Sequence, residues 1–272
     1  MKIGMVAVDL DGTLLGGTKG RYGMLPEAVE ALRRIARNGA IVGFATGRDY
    51  PFMIELLKRE GIDPAAEGWP HFMMEEERFI YELRDNGIYE TDALRNDAVD
   101  RTEREHFRRI AHGVSDSLAA ALAAIDPSCK RLAEEKELRR GFVELIFADA
   151  HAAREGETVV AEWLREQGLP YTAVRNGKGL SVRHVSVGKG AVLSALCAQM
   201  NVPPAETLAI GDGANDLTML AGPYGFAAAA PGNADEEVKE RVRRRGGYIA
   251  ERRYGAGVAE AIRHYELHEA VR

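Results

Sequence analysis

Val6-Ala-Val-Asp-Leu-Asp-Gly-Thr-Leu-Leu15 runs an apolar stretch into two carboxylates with no spacer between them. The apolar part, Ile3 to Val8 with two β-branched valines, predicts a strand buried on both faces of a parallel sheet. Asp9 and Asp11 arrive at alternate positions where that strand ends, and Gly12-Thr13 supplies turn chemistry for leaving the sheet. Open α/β sheets bind ligands at the carboxyl ends of their strands. Two acids this close repel each other unless a cation or a shared proton relieves them. With a hard cation such as Mg2+ on Asp9 its charge is balanced, and its free oxygen remains a nucleophile able to attack phosphorus. Asp11 is then placed to act as general acid and afterwards as general base.

Other stretches repeat the pattern of a buried strand meeting polar groups. Ala40-Ile-Val-Gly-Phe-Ala45 runs into Thr46-Gly-Arg48, where a hydroxyl and a glycine amide suit phosphate oxygens. Thr207-Leu-Ala-Ile-Gly-Asp-Gly-Ala-Asn-Asp-Leu-Thr-Met-Leu220 puts Asp212 at a strand tip. Asp216 comes four residues on, near one face of the helix beginning there. Both acids can converge on a cation beside Asp9, with Asn215 between them. Of the two Gly-Lys-Gly triplets, Gly188-Lys-Gly190 opens the amphipathic helix Ala191 to Met200, so Lys189 sits at a positive helix start suited to an anion. Lys178 falls between two strands, where a turn explains it.

Asp9-Leu-Asp-Gly-Thr13 resembles the first motif of the haloacid dehalogenase superfamily of phosphatases. Thr46 resembles its second motif, Lys189 its third and Gly211-Asp-Gly-Ala-Asn-Asp216 its fourth. The resemblance implies that Asp9 forms an aspartyl-phosphate and Asp11 is the acid/base. Thr46 and the Gly47 amide would bind phosphate, Lys189 would neutralise the phosphoryl group and the nucleophile, and Asn215 would lie near both. Asp212 would be a direct Mg2+ ligand and Asp216 would orient water on the metal, giving a metal set of Asp9, Asp11, Asp212 and Asp216. Arg48 would steady the site or face substrate. The implied fold is α/β: a doubly wound, mainly parallel Rossmann-like core of residues 1–90 and 186–272 with an inserted α+β cap of residues 91–185. Spacing agrees with that placement, since 37 residues separate Asp9 from Thr46 and 143 separate Thr46 from Lys189. The insertion is similar to a class II cap of subtype B, which excludes water and selects the substrate, and the branch implied is the Cof-like sugar-phosphate phosphatases. The expected activity is hydrolysis of a small phosphorylated metabolite. Sugar phosphates lead, with phosphoglycerate-linked sugars and cofactor phosphates such as pyridoxal phosphate behind. A phosphomutase and a non-catalytic phosphosugar-binding protein are the alternatives.

One departure stands out. That branch carries an asparagine-glycine pair just before the hairpin read at Phe79-Ile-Tyr-Glu-Leu83 and Ile88-Tyr-Glu90, whereas this chain has Glu75-Glu-Glu77. Acids there disfavour a second anionic group on the substrate. Gly16-Gly-Thr-Lys-Gly20 lacks the residues of a phosphate loop and reads as a turn, where the family carries a small flap. Within the cap a long helix is predicted over 98–125 and another over 151–167. Arg139, Arg140, Arg175, Lys178 and Arg183 are candidate substrate contacts with solvent exposure as the simpler reading. His106, His112, His151 and His184 lack metal-ligand spacing, and Trp163 is a packing residue by its helical spacing with Val160 and Leu164.

The 272 residues, 46% of them hydrophobic, suffice for one large or two modest domains. The formal net charge of −6 gives no drive toward nucleic acid or an anionic membrane, so neither partner is expected. No stretch reaches the roughly 20 apolar residues of a bilayer span. Cys129 and Cys197 have no metal-ligand spacing, and the start of the chain lacks the layout of a secretory signal; a cytoplasmic protein is expected. No motif specifies an oligomeric state.

Overall fold

The computed structural model describes residues 2–16 and 22–269, apart from the side chains of Arg139, His268 and Glu269. In chain order its strands are β1 (Met5–Val8), β2 (Leu15–Gly16), β3 (Gly23–Met24), β4 (Ile41–Ala45), β5 (Phe72–Glu75), β6 (Phe79–Leu83) and β7 (Tyr89–Thr91). Then come β8 (Lys130–Arg131), β9 (Val143–Ile146), β10 (Tyr171–Asn176), β11 (Gly179–His184), β12 (Thr207–Ile210), β13 (Ala227–Ala230) and β14 (Tyr248–Ile249). The glycine-rich turn expected at Gly16 to Gly20 lies outside the described residues beyond Gly16, which pairs in β2 with Gly23 of β3.

One compact unit comprises Met1–Asn96 with Lys189–Arg272, and a second comprises Asp97–Gly188. The first is a mainly parallel sheet in the order β14-β13-β12-β1-β4-β5-β6-β7, with only the β6 and β7 pairings antiparallel. Alternation along β1 sends Val6 and Val8 into the apolar layer on one face and Met5 and Ala7 into the layer on the other. Leu208 and Ile210 of β12 share the first layer and Ala209 the second. Two buried faces are why these strands read as unbroken apolar runs. From β1 the chain moves outward through β4 and β5, then returns to the opposite side of β1 as β12 and continues to β14. Strand order therefore reverses at β1, and ligand sites of doubly wound sheets lie in the crevice beyond such a reversal.

The insertion begins at Asp97, six residues later than the expected 91, because the intervening stretch is tied to the sheet. Asn96 accepts a hydrogen bond from the Ile80 backbone at 3.2 Å and donates to the Ile80 carbonyl at 3.3 Å. Its second limit lies at Gly188. The second unit has an antiparallel sheet ordered β10-β11-β9-β8 and its own core, including Phe107, Leu145, Phe147, Val160, Trp163 and Val182. The long helix predicted over 98–125 is broken into Ala93–Arg104, Phe107–His112 and Ala119–Ile125, with a wide π-type turn at Gly113–Ser117. The interruptions fall at Glu105–His106 and Leu118, while Gly113 keeps right-handed helical backbone and packs against Trp163. A Cβ on Gly113 would stand 2.0 Å from its ring, so the backbone there lies directly against the indole. The helix Glu134–Arg140 and strands β5 and β8 were not expected from the sequence pattern. No helix among the described residues is long and apolar enough to cross a membrane.

Gly113→Ala is expected to destabilise the second unit by about 1–3 kcal/mol, because the added methyl must displace a packed indole. A Tm scan monitored by tryptophan fluorescence checks this, and an unchanged melting curve contradicts the packing argument.

Candidate active site

Parallel pairing aligns Val8 with Phe44 on one side and Ile210 on the other, so β1, β4 and β12 end side by side. Each of the three strands gives way to a polar residue: Asp9, Thr46 and Asp212. The Asp9 amide donates to the Ile210 carbonyl at 2.9 Å, which fixes where its side chain starts.

Lys189, the first residue of the helix Lys189–Gln199, is fully buried and reaches back to this point. Its Nζ donates to Asp9 Oδ1 at 2.6 Å and to Asp216 Oδ1 at 2.6 Å. Asp216 is equally buried, and its Oδ2 accepts from the amides of Asp212 and Gly213, both at 2.9 Å. Both of its oxygens are therefore occupied within the chain. Asp212 accepts from Thr13 Oγ1 at 2.9 Å. The turn after β1 brings Thr13 there because Gly12 has φ +82°, and a Cβ on it would lie 2.2 Å from Asp212 Oδ2. Only glycine meets both conditions.

Oxygens of Asp9, Asp212 and Asp216 lie within 4.8 Å of one another. Asp11 is the expected ligand whose carboxylate does not join them. Its oxygens accept from Arg48 Nε at 2.7 Å and Nη2 at 2.8 Å, and from the Tyr22 hydroxyl. A planar guanidinium matches a carboxylate bidentately, and that pairing holds Asp11 outside the cluster. Thr46 is buried, its Oγ1 accepts from the Arg48 amide at 3.1 Å, and its carbonyl accepts from the Glu77 amide at 3.0 Å. Asn215 Nδ2 donates to Glu77 Oε1 at 2.8 Å.

Negative charge exceeds positive in this space. Burial, followed by Asp216 and Asp212, pushes the Asp9 carboxyl well up against the pull of Lys189. Burial and then Asp216 push Asp212 to about 7. Burial works against the Lys189 ammonium, yet Asp216 and Asp9 outweigh it and keep that group charged. Partial burial acts upward on Asp11, but Arg48 and Tyr22 hold its carboxyl below the ordinary range. Three hard oxygen donors around an uncompensated charge are the donor set of a small divalent cation, so these residues fit Mg2+. Asp9 and Asp212 are the available donors, with Asp216 behind them.

Two residues were not singled out for the site from the sequence. Asn233 Nδ2 donates to the Gly12 carbonyl at 2.7 Å and so pins the turn under Asp212; an asparagine between a glycine and an alanine carries no local signal beyond a turn. Glu77 belongs to the run of acids Glu75-Glu-Glu77 and is the member that reaches Asn215 and Lys189. Among the cap candidates, Arg175 pairs with Glu157 at 3.1 Å and Arg183 with Glu103 at 3.1 Å, while Arg140 pairs with Glu144. Lys178 is exposed in the β10–β11 turn, and the Arg139 side chain lies outside the described residues.

A family model described as a haloacid dehalogenase-like hydrolase matches residues 6–99, and one described as sucrose-6F-phosphate phosphohydrolase matches residues 130–266, about half of the chain. A phosphoglycolate phosphatase of Haloarcula marismortui is 30% identical over 273 residues, covering 95% of each chain. One from Methanoculleus marisnigri is 26% identical, over 96% of this chain and 95% of its own. Among solved structures, the sucrose-phosphatase of Synechocystis, determined with sucrose and phosphate, superposes with a TM-score of 0.70 at 21% identity, covering 98% of this chain and 99% of that one. The chain belongs to the haloacid dehalogenase-like hydrolases. Within that family it is an enzyme of the phosphatase class.

The crowding of carboxylates has a measurable consequence. Asp212 titrates near 7 in the folded chain against an ordinary value of 3.8, so the folded state holds the extra proton between these limits and its stability falls as pH rises through them. In chelator at pH 8, Asp212→Asn is expected to melt about 5 °C above the parent, an advantage that shrinks below pH 5. Added Mg2+ should raise the parent far more than the variant. Thermal melts at both pH values check this, and equal Mg2+ responses contradict the ligand assignment.

Proposed function

We propose that the chain is a Mg2+-dependent phosphomonoester hydrolase that works through an aspartyl-phosphate on Asp9, with a phosphorylated sugar or similar small metabolite as substrate. The observation that carries this reading is the buried Asp9–Lys189–Asp216 array with Asp212 beside it. Phosphoryl transfer needs in-line positioning and neutralised charge more than it needs covalent assistance from the protein. Lys189 holds one oxygen of Asp9 at 2.6 Å and so fixes the direction of the carboxylate. Thr46, the Gly47 amide, Lys189 and Asn215 are the donors assigned to the phosphoryl oxygens. Asp9 and Asp212 would hold Mg2+, which when bound supplies positive charge that balances the carboxylates and the transferring group.

An Asp9 oxygen attacks phosphorus as the bond to the leaving oxygen breaks, and Asp11, released from Arg48 and carrying a proton taken from solvent, gives that proton to the leaving oxygen. Asp11 then takes a proton from the water that attacks the aspartyl-phosphate, releasing inorganic phosphate and restoring Asp9. For this, Asp11 has to exchange its Arg48 partner for the leaving oxygen, which makes Arg48 a positioning residue for the acid/base. Residues 97–188 form the unit to which part of substrate choice is assigned. A second reading takes phosphoglycolate as substrate and rests on the activity named for the archaeal relatives.

Asp9→Asn is expected to lower phosphate release from p-nitrophenyl phosphate by a factor on the order of 10³ or more with little change in melting temperature. Chelator should silence the parent and Mg2+ restore it. Sustained turnover by the variant would remove Asp9 as nucleophile, and turnover in chelator would remove the metal.

A further inference from the structure

Glu75, Glu76 and Glu77 occupy one tight turn, but their side chains do different things. Glu75 is structural: its Oε1 accepts from the Tyr50 amide and its Oε2 from the Tyr81 hydroxyl, each at 2.8 Å. Glu76 is partly exposed, with an oxygen 3.7 Å from Arg78 Nη1. Glu77 turns inward. Its side chain is 8% exposed, its Oε1 accepts from Asn215 at 2.8 Å and lies 4.0 Å from Lys189 Nζ, and a Cβ on Gly47 would stand 3.7 Å from the same oxygen. Of the four groups assigned to phosphate, two face this carboxylate and a third adjoins it.

The backbone shows that the carboxylate is there for a reason other than the turn. Glu76 has φ +48° and Glu77 φ +60°, a left-handed conformation unfavourable for residues with a long side chain. The turn itself is needed, since the Glu76 amide donates to the Arg48 carbonyl and the Glu77 amide to the Thr46 carbonyl, both at 3.0 Å, bracing Thr46 and Arg48. Glycine or asparagine would brace it with less strain. What a strained glutamate adds is charge and acceptor capacity, and strain retained at a site points to use.

We infer that Glu77 is a specificity-determining residue, one that favours phosphate esters of uncharged polyols and disfavours those whose leaving group carries a carboxylate or second phosphate. This rests on the phosphatase reading above. One Glu77 oxygen is held by Asn215, and an ionised carboxylate accepts hydrogen bonds without donating any, so a sugar hydroxyl suits it and a second anion does not. Between like charges in a partly desolvated site, discrimination on the order of tenfold or more is expected.

The test compares glucose 6-phosphate with 2-phosphoglycolate in the presence of Mg2+, using the parent, Glu77→Gln and Glu77→Asp. The readout is kcat/KM, or Ki against p-nitrophenyl phosphate for an ester that binds without turnover. Glu77→Gln keeps the shape and removes the charge; it is expected to shift the ratio at least tenfold toward phosphoglycolate through a gain on that ester. Glu77→Asp should move the ratio back toward the parent. An unchanged ratio, or parallel losses on both esters, would overturn the inference and leave Glu77 a brace for Asn215. Absence of turnover by the parent on all three esters is a different result: it overturns the phosphatase reading and this inference with it.

Discussion

A buried ammonium shared by two buried carboxylates is the interaction on which the rest of the site depends. Lys189 joins Asp9, 180 residues earlier, to Asp216, 27 residues later, with no water-facing surface of its own. Charges removed from water destabilise a fold unless their partners are close and well oriented, and removing one partner is more damaging than never having had the pair. The array is therefore under joint constraint. The strand before Asp9, the start of the helix Lys189–Gln199 and the turn Ala214–Asp216 must all be in place for any of these charges to be tolerated. With one ammonium against three clustered acids, the same arrangement favours added positive charge.

Sheet topology makes that convergence possible without long loops. The reversal of strand order at β1 places the ends of β4 and β12 on either side of it, so short turns suffice to carry Thr46 and Asp212 to Asp9. Small residues then set the distances. Gly12 permits the close approach to Asp212 that Thr13 completes with its hydroxyl, and Asn233 locks the same turn from a loop more than 200 residues away.

The range of the forces involved decides how much of this was legible in the sequence. Strands buried on both faces announce themselves as apolar runs, and acids at their tips announce a site, so the doubly wound core and the positions of Asp9, Asp212, Asp216 and Lys189 could be read. Partner choice among nearby charges could not. Nothing local to Asp11 indicates that Arg48 and Tyr22 take its carboxylate away from the other acids. Helical periodicity over 98–125 carries no sign of the wide π-type turn at Gly113–Ser117, where the indole that lies against Gly113 comes from residue 163. Glu77 lay within a run of three acids whose side chains diverge only once the left-handed turn is formed. In each case the deciding contact is with a residue outside the local sequence window.

Charge placement in the two units, each taken alone, bears on the kind of ester handled. In the second unit the arginines that looked available for an anion, Arg175 and Arg183, are buried and paired with Glu157 and Glu103, and Arg183 also lies over the Phe142 ring at 4.1 Å. Their charge is committed to holding β10 and β11 against the helices of that unit. In the first unit the buried cation beside these acids, Lys189, is already shared among Asp9, Asp216 and, at longer range, Glu77. Under the proposed function, a substrate whose negative charge is confined to its phosphate would meet donors that neutralise it, and one carrying a further anion would meet Glu77 instead. On that proposal selectivity begins in the first unit, in the electrostatics of the groups to which the chemistry is assigned.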